Sequence, residues 1–280
     1  MHQPCALRIF EGDILVDELD DEDRSALRDA LAALERPSLA LRFGAIVGKP
    51  VEVFGRVFPP AMVRTAQKAA EVALTAALRL VLSERVPRGG DRTGLWHKLF
   101  AATSGAMGGT FGMTGLVVEL PISTAIMLHA ITEIAREQGE DLKDPDALFA
   151  CLEVFALADL SHEQPFGWSR YCAVRRSLTG SIAEASRYVS QRVVAEETAP
   201  VLARIVSAVA SRFGVAVSQK FSAQAIPIIG SISGAAINAA FMEHFQSMAR
   251  AHFTMRRLER TYGKDLVAVC CDEMRPFSET

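Results

Sequence analysis

The residues best suited to chemistry are carboxylates and imidazoles that interrupt two long, otherwise uncharged parts of the chain. His129 and Glu133 are spaced i, i+4, so a helix would place them on one face. Glu119 precedes them, and Glu243 and His244 stand in a second such region, followed by His252. If the two regions pack together, these buried polar candidates could bind a metal ion or act as acids and bases in hydrolysis.

The spacing around these residues is not that of a known metal or nucleophile motif. The sequence contains no His-Glu-x-x-His pair and no serine in a Gly-x-Ser-x-Gly elbow. Buried carboxylates and imidazoles are more often hydrogen-bonded groups of a helical core or helix-end residues. We therefore predict no metal and no cofactor, assign no catalytic residue, and regard an enzyme as the less favoured alternative.

The elements that must position these residues include two glycine-punctuated, charge-free runs, Leu99–Val118 and Phe221–Met242. Each is long enough to cross a bilayer, for which about 20 residues suffice. Small residues make up much of both runs, a composition that inserts weakly into lipid but permits close helix packing. The sequence predicts two glycine-rich apolar helical hairpins that are shielded by amphipathic helices.

The two regions also suggest an internal repeat. When the sequence is aligned with itself at one constant offset and without a gap, several residues of the two regions are identical. The pairs are Glu119 with Glu243, Arg136 with Arg260, Gly139 with Gly263, Asp141 with Asp265 and Leu142 with Leu266. Several identities in one register favour a duplicated hairpin, although so few identities can also arise by chance.

Helical periodicity extends over most of the chain, and only Ala6–Val16 is typical of an extended segment. The predicted fold is all-α, with one helical domain over residues 21–280 after an acidic, partly extended segment over residues 1–20. The clearest predicted helices run from Asp21 to the residue before Arg36-Pro37 and from Ala61 to Glu84. Between them, repeated glycines and prolines permit a short helix around Leu39 to Ile46 but are mostly typical of a connector.

Composition limits the class of protein. The chain has 280 residues, of which 50% are hydrophobic and 22% charged, and this suits a globular protein with a large core. A net charge of -3 gives no support to nucleic-acid binding, which requires a basic surface. Five cysteines without Cys-x-x-Cys spacing indicate neither a disulfide framework nor a zinc finger, so we predict a cytoplasmic location. The apolar hairpins extend this prediction to a peripheral position at the inner face of the membrane.

Aromatic residues and arginines cluster in one segment that we interpret as a loop at a membrane-facing edge. Aromatic rings favour the boundary between apolar and aqueous regions, and arginines attract anionic headgroups. The alternative is a packed loop between helices. The residues predicted to contact lipid or a partner are Phe166, Trp168, Arg170, Tyr171, Arg175 and Arg176. A second basic run, Arg250, Arg256, Arg257 and Arg260, is interpreted as an anionic-partner patch or, more simply, as a solvated helix face.

Several segments resemble the EcsC family of bacterial proteins. They are Gly115–Thr124, Ala135–Leu142, Cys151–Leu157, Gln224–Asn238 and Ala251–Gly263. The resemblance covers roughly Leu95 to Leu266. It implies an α-helical, membrane-associated bacterial protein, because the family takes its name from a component associated with an ABC exporter operon.

These observations together predict a non-enzymatic, membrane-associated or lipid-binding accessory protein. Its expected partners are anionic membrane lipid or an integral membrane transporter, with no nucleic acid. Two alternatives remain open at this point: a metal-dependent or hydrolytic enzyme that uses the embedded Glu and His residues, and a structural partner of an ABC transporter.

Overall fold

A computed structural model of the chain describes residues 19–48, 60–82, 112–157, 167–191, 199–225 and 232–274, and every regular element in these ranges is an α-helix. The predicted all-α class is confirmed. The extended segment predicted at Ala6–Val16 lies outside the described residues. In chain order the helices are α1 (Asp21–Leu34), α2 (Leu39–Val47), α3 (Pro60–Leu82), α4 (Gly112–Glu137), α5 (Pro145–Leu157), α6 (Gly167–Ser190), α7 (Pro200–Ala225), α8 (Ile232–Tyr262) and α9 (Lys264–Glu273).

The first two helices begin and end where local sequence signals predict. The Asp20 carboxylate accepts a hydrogen bond from the backbone N–H of Asp23 at 2.7 Å and so caps α1. Acidic residues in its first turn complement the positive end of the helix dipole, and Pro37 follows its last turn. Ser38 caps α2 in the same way, and Gly48, with φ of 65°, ends it.

Helix α5 is the centre of the core. Every residue from Phe149 to Leu157 is buried, and the helix contacts α4, α6, α7 and α8. The Phe155 ring lies 5.0 Å from that of Phe213 on α7 and 5.4 Å from that of Phe245 on α8, between centroids. A helix that is apolar on all sides must be enclosed on all sides. Glu153, the charged residue within this buried stretch, is therefore enclosed as well.

Helices α3 and α7 pack closely and run antiparallel. A Cβ added at Gly214 of α7 would come within 2.8 Å of Gln67 Cγ and 3.0 Å of Gln67 Cα on α3. A second contact joins Ser207, seven residues before Gly214 in α7, to Glu71, four residues after Gln67 in α3, and the Ser207 hydroxyl donates to Glu71 Oε1 at 3.2 Å. Because glycine has no side chain at the close contact, the two backbones can approach.

Another long helix, α8, packs on α1, α2, α4, α5 and α9.

The glycine-rich runs are described only in part. Of Leu99–Val118, residues 112–118 form the start of α4. Of Phe221–Met242, residues 221–225 end α7 and residues 232–242 begin α8. The turns of the two predicted hairpins therefore lie outside the described residues, and the hairpins stay a prediction.

The two segments that suggest a repeat share one backbone feature. Gly139 and Gly263 both have positive φ, 78° and 91°, a region that glycine adopts without steric cost. Each follows a long helix and precedes a shorter one. The connections differ, however, because α9 begins directly after Gly263, whereas α5 begins only at Pro145. The internal repeat therefore also stays a prediction.

One described helix is long and apolar enough to cross a membrane. It is α7, over Pro200–Gln224, and 61% of its most apolar part is buried against the rest of the fold. Length and composition of this kind are shared by core helices of globular proteins. The finding is therefore weak evidence for a membrane span.

Candidate functional site

The aromatic side chains predicted to face lipid lie inside the fold. Trp168 and Tyr171 are only 6% and 0% exposed, and their rings stack with 5.5 Å between centroids. Both residues fall on the side of α6 that packs against the core, together with Val174 and Leu178. The expected exposed aromatic edge is wrong for these two residues, because helical spacing turns them inward. Phe166 lies outside the described residues.

The three arginines of the same predicted cluster have different surroundings. Arg175 binds Glu259 of α8 through two parallel hydrogen bonds, of 2.5 Å from Nη1 and 2.9 Å from Nη2. Its guanidinium also lies 5.3 Å from the centre of the Tyr171 ring. Arg170 is half-buried, whereas Arg176 is exposed. Among the described residues of the predicted cluster, Arg176 is thus the exposed one.

The carboxylates predicted to be buried are tied to neighbouring arginines. Glu243 is exposed and binds Arg42 of α2 at 2.5 Å, so its prediction as a buried polar residue is wrong. Its position on α8 faces outward, toward the basic side chain of α2. Glu133 is half-buried and pairs with Arg136 on its own helix.

The imidazoles predicted with these carboxylates are partly or fully enclosed. His244 is buried and His129 is half-buried, while the side chain of Glu119 lies outside the described part of the chain. Within the described ranges, no group of three or more His, Cys, Asp or Glu residues is placed to hold a metal ion. The described candidates therefore do not come together as the metal site that the metal-dependent alternative predicts.

A different set of polar side chains meets in the core, between α5, α6 and α8. The hydroxyl of Tyr171 and Nδ1 of His252 lie 3.1 Å apart, at hydrogen-bond distance. On the other side of the imidazole, Nε2 lies 3.7 Å from Oε2 of Glu153. Tyr171 and His252 are 0% exposed, and Glu153 is 4% exposed. We call Glu153, Tyr171 and His252 the core polar cluster.

Burial sets the protonation of the core polar cluster. It raises the pKa of Glu153 to about 7, although nearby Arg175 and Arg256 act in the opposite direction. Burial lowers the pKa of His252 well below its usual range, and the same two arginines lower it further. Burial also raises the pKa of Tyr171. At neutral pH the imidazole is therefore uncharged, the phenol is protonated, and the Glu153 carboxyl is close to its midpoint.

The second basic run is mostly engaged in ion pairs around this cluster. Arg256 binds Glu140 at 2.8 Å and Asp146 at 3.1 Å. Burial alone would raise the pKa of Glu140, but hydrogen bonds and charge from Arg256 and Arg260 lower it overall. Arg257 binds Asp23 of α1 at 2.6 Å. These arginines hold the connection before α5 and the start of α1 against α8, so they are not a free anionic-partner patch.

Sequence reasoning did not select Glu153 and gave His252 only a minor place. The available signal was a lone carboxylate inside the apolar run Phe149–Leu157. A helix without a polar face cannot turn such a residue to water, so it must be buried with partners or protonated. Cys151 in the same run is fully buried, and burial raises the pKa of its thiol to about 12.

The exposed sides of α3, α6 and α7 form a second candidate site. Helices α6 and α7 lie side by side, and two hydrogen bonds join them: Arg204 Nη2 donates to Glu184 at 2.5 Å, and Arg212 Nη2 donates to Ser177 at 3.1 Å. Helix α3 adjoins α7 on the other flank through Ser207 and Glu71. These bonds join side chains that reach the surface of neighbouring helices. The three helices therefore present one continuous surface.

This surface is strongly basic. Among the described residues of α3, α6 and α7, the acidic ones are Glu71 and Glu184. The basic residues on this surface, which we call the basic face, are Arg64, Lys68, Arg79, Arg176, Arg187, Arg204 and Arg212. All of these are exposed except Arg212, which is half-buried. Helix α7 contains no acidic residue at all. The excess of positive charge contrasts with the net charge of -3 of the whole chain.

Comparison with known families assigns the chain. The model of the EcsC protein family matches residues 27–258. The chain belongs to the EcsC family. The matched region of this EcsC-family protein extends from α1 to α8 and contains both the core polar cluster and the basic face. Searches of curated proteins and of solved structures found no match.

Proposed function

We propose that this EcsC-family protein is a non-enzymatic accessory protein that binds anionic membrane lipid through the basic face. The observation that carries the proposal is the uneven distribution of charged residues over the surface. Basic residues dominate the joined surface of α3, α6 and α7, while the chain as a whole is slightly acidic. The inner leaflet of a cell membrane attracts such clusters because its lipids give it a negative surface potential.

The shape of the surface supports a planar partner. Helices α3, α6 and α7 have 23, 24 and 26 residues, so each is about 35 to 39 Å long at 1.5 Å per residue. Their exposed residues include many small side chains, such as Ala76, Ala173, Ala203 and Ser211. Three adjacent helices with short side chains between the arginines form a broad surface that suits a layer of headgroups.

The same surface offers little to a single-stranded nucleic acid. Single-stranded nucleic acids are held by exposed aromatic rings on which the bases stack. Among the described side chains of α3, α6 and α7, every aromatic residue is buried or half-buried. Lipid headgroups need charge without stacking. Anionic lipid is therefore the partner that the chemistry of this surface favours.

Charge rather than insertion accounts for the proposed affinity. A basic residue near an anionic membrane contributes about 1 kcal/mol, and the interaction decays within a Debye length of about 10 Å at 0.1 M salt. Val72 is the large apolar residue exposed on the described part of this surface. We therefore expect reversible, salt-sensitive binding at the cytoplasmic side of the membrane. A partnership with a transporter is supported only by the family resemblance. It would require a contact surface on this protein other than the basic face.

Vesicle flotation of the full chain tests this proposal. We expect the protein to float with vesicles that contain phosphatidylglycerol at about 0.05 M salt, to float far less at about 0.5 M salt, and to remain unbound with pure phosphatidylcholine. Failure to float with anionic vesicles at low salt would contradict the proposal. Equal binding to both lipids would contradict the electrostatic mechanism.

A further inference from the structure

The core polar cluster has a geometry that ordinary core packing does not require. His252 lies between Tyr171 and Glu153, which come from two other helices. The phenol remains protonated because the Tyr171 pKa is raised, so its O–H can donate to Nδ1 of the neutral imidazole. The one imidazole proton then belongs on Nε2, the atom that faces Glu153.

The contact between His252 and Glu153 is too long to stabilise a charged carboxylate well. The Nε2 to Oε2 distance of 3.7 Å exceeds a normal hydrogen bond, and Nε2 has no hydrogen-bond partner in the described part of the chain. A neutral imidazole supplies no compensating charge. Glu153 is thus a buried carboxylate beside a polar group that reaches toward it without forming a full bond.

The cations nearest to Glu153 are already paired with other carboxylates. Arg175 of α6 binds Glu259 of α8 through both Nη atoms. Arg256 of α8 binds Glu140 and Asp146, which lie before and at the start of α5. Of these carboxylates, Asp146 and Glu259 oppose the ionisation of Glu153.

The other helices that pack on α5 do not bring a free cation to Glu153. Arg136 of α4 pairs with Glu133, and Lys220 of α7 lies 5.1 Å from the ring centre of Phe241. The charged residues of α3 are exposed to solvent. Within the described ranges, the ion contact of Glu153 is the one with His252.

We propose that Glu153 and His252 form a buried proton-binding site, with Tyr171 fixing the orientation of the imidazole. The ligand is one proton from water, which adds to the Glu153 carboxylate to give the neutral acid. No bond within the chain breaks, and His252 keeps its single proton on Nε2 in both states. This site is independent of the basic face and would exist whether or not the protein binds lipid.

Proton uptake at this site would change the balance of charge where α5, α6 and α8 meet. Ionisation of the Glu153 carboxyl carries the cost of burying a charge and adds repulsion from Asp146 and Glu259, which attraction to Arg175 and Arg256 offsets only in part. The three helices are therefore held together most strongly when the proton is bound. A buried carboxylate that is costly when ionised, and that changes charge near neutral pH, is typical of a pH-sensitive element.

Carbon NMR of the full chain, labelled at the glutamate δ-carbons, tests the proposal. Between about pH 6 and about pH 9, exposed glutamates remain ionised, so their resonances should hardly move. We expect one resonance to titrate near neutral pH, to be absent in E153Q and to persist in E137Q, a control at an exposed glutamate of α4. If no glutamate titrates in this range, or if the titrating signal survives in E153Q, the proposal is overturned.

Two further variants keep the test decisive if E153Q folds poorly. E153D retains a carboxyl group but removes this residue from the glutamate spectrum, so the titrating signal should again disappear. Y171F retains the ring and removes the hydroxyl that orients His252. Its expected result is a shifted midpoint for Glu153 together with 15N shifts of His252 that no longer indicate a single Nε2-protonated form. Unchanged 15N shifts in Y171F would contradict the role assigned to Tyr171.

Discussion

Glu153 occupies a position where a carboxylate is expected to be unfavourable, because the rest of its helical turn is apolar and buried. Its ordinary pKa is 4.5, and burial raises the pKa to about 7 in the folded chain. Between these two values the folded state binds a proton that the unfolded state has released. The free energy of unfolding must therefore fall as the pH rises through this interval.

The contribution of Glu153 to pH-dependent stability can be measured against E153Q. The shift in pKa corresponds to about 3 kcal/mol. From pH 4.5 to above pH 7, the wild type should lose about that amount of unfolding free energy relative to E153Q, as measured by urea unfolding at each pH. A difference between the two proteins that does not change with pH would show that Glu153 has the same pKa in both states.

At the residue scale, sequence predicted some environments and not others. The residues on either side of Cys151 are apolar, a pattern that favours burial, and its side chain is fully buried. Glu243 was predicted to be buried for a similar reason, yet it is exposed beside Arg42, a residue about 200 positions earlier in the chain. Composition along a helix indicates how apolar it is. Which residue meets a distant arginine depends on tertiary packing that a single sequence does not contain.

At the scale of elements, α6 connects the two candidate sites. Its buried side carries Tyr171 and Arg175, while the adjacent Arg176 belongs to the basic face. The N-terminus of α6 is fixed against α1, where the N–H of Gly167 donates to Glu35 at 2.8 Å. A Cβ added at Gly167 would come within 2.3 Å of the backbone oxygen of Leu34. The orientation of α6 therefore depends on the absence of a side chain at this position.

The substitution G167A tests this dependence, with G180A as a matched control in the same helix. The added methyl group at Gly167 meets backbone that cannot move aside easily, so we expect a loss of about 1 to 3 kcal/mol in unfolding free energy. At Gly180 a Cβ meets nothing within 4 Å, and alanine should stabilise the helix by about 1 kcal/mol. Urea unfolding measures both. Equal effects of the two substitutions would contradict the close packing of α6 on α1.

The ends of elements were more predictable than their mutual arrangement. The start of α1 and the limits of α2 follow from Asp20, Ser38, Gly48 and Pro37, all of which act within a few residues. The inward orientation of Trp168 and Tyr171 was not predicted, because an aromatic residue near arginines suits both a membrane edge and a packed helix. Only the contacts of α6 with α5, α7 and α1 distinguish the two.

At the scale of the whole molecule, the overall composition does not indicate that basic residues are concentrated on one surface. A net charge of -3 argues against an anionic partner if charge is averaged over the chain. The basic face becomes visible only when α3, α6 and α7 are brought side by side, although they are separated in sequence. The family and the all-α class could be inferred from the sequence, since both depend on local patterns. The basic face required the tertiary structure.

Charge reversal on the basic face, compared with the same reversal elsewhere, tests the account of binding most directly. The face variant K68E/R176E/R187E and the control variant R28E/K143E/K264E change exposed residues and alter net charge equally. Vesicles that contain phosphatidylglycerol, at about 0.05 M salt, give the affinity of each. Since each basic residue contributes about 1 kcal/mol, the face variant should bind at least about 100-fold more weakly than the wild type, and the control should lose much less. Equal losses in the two variants, or no loss in the face variant, would contradict the account.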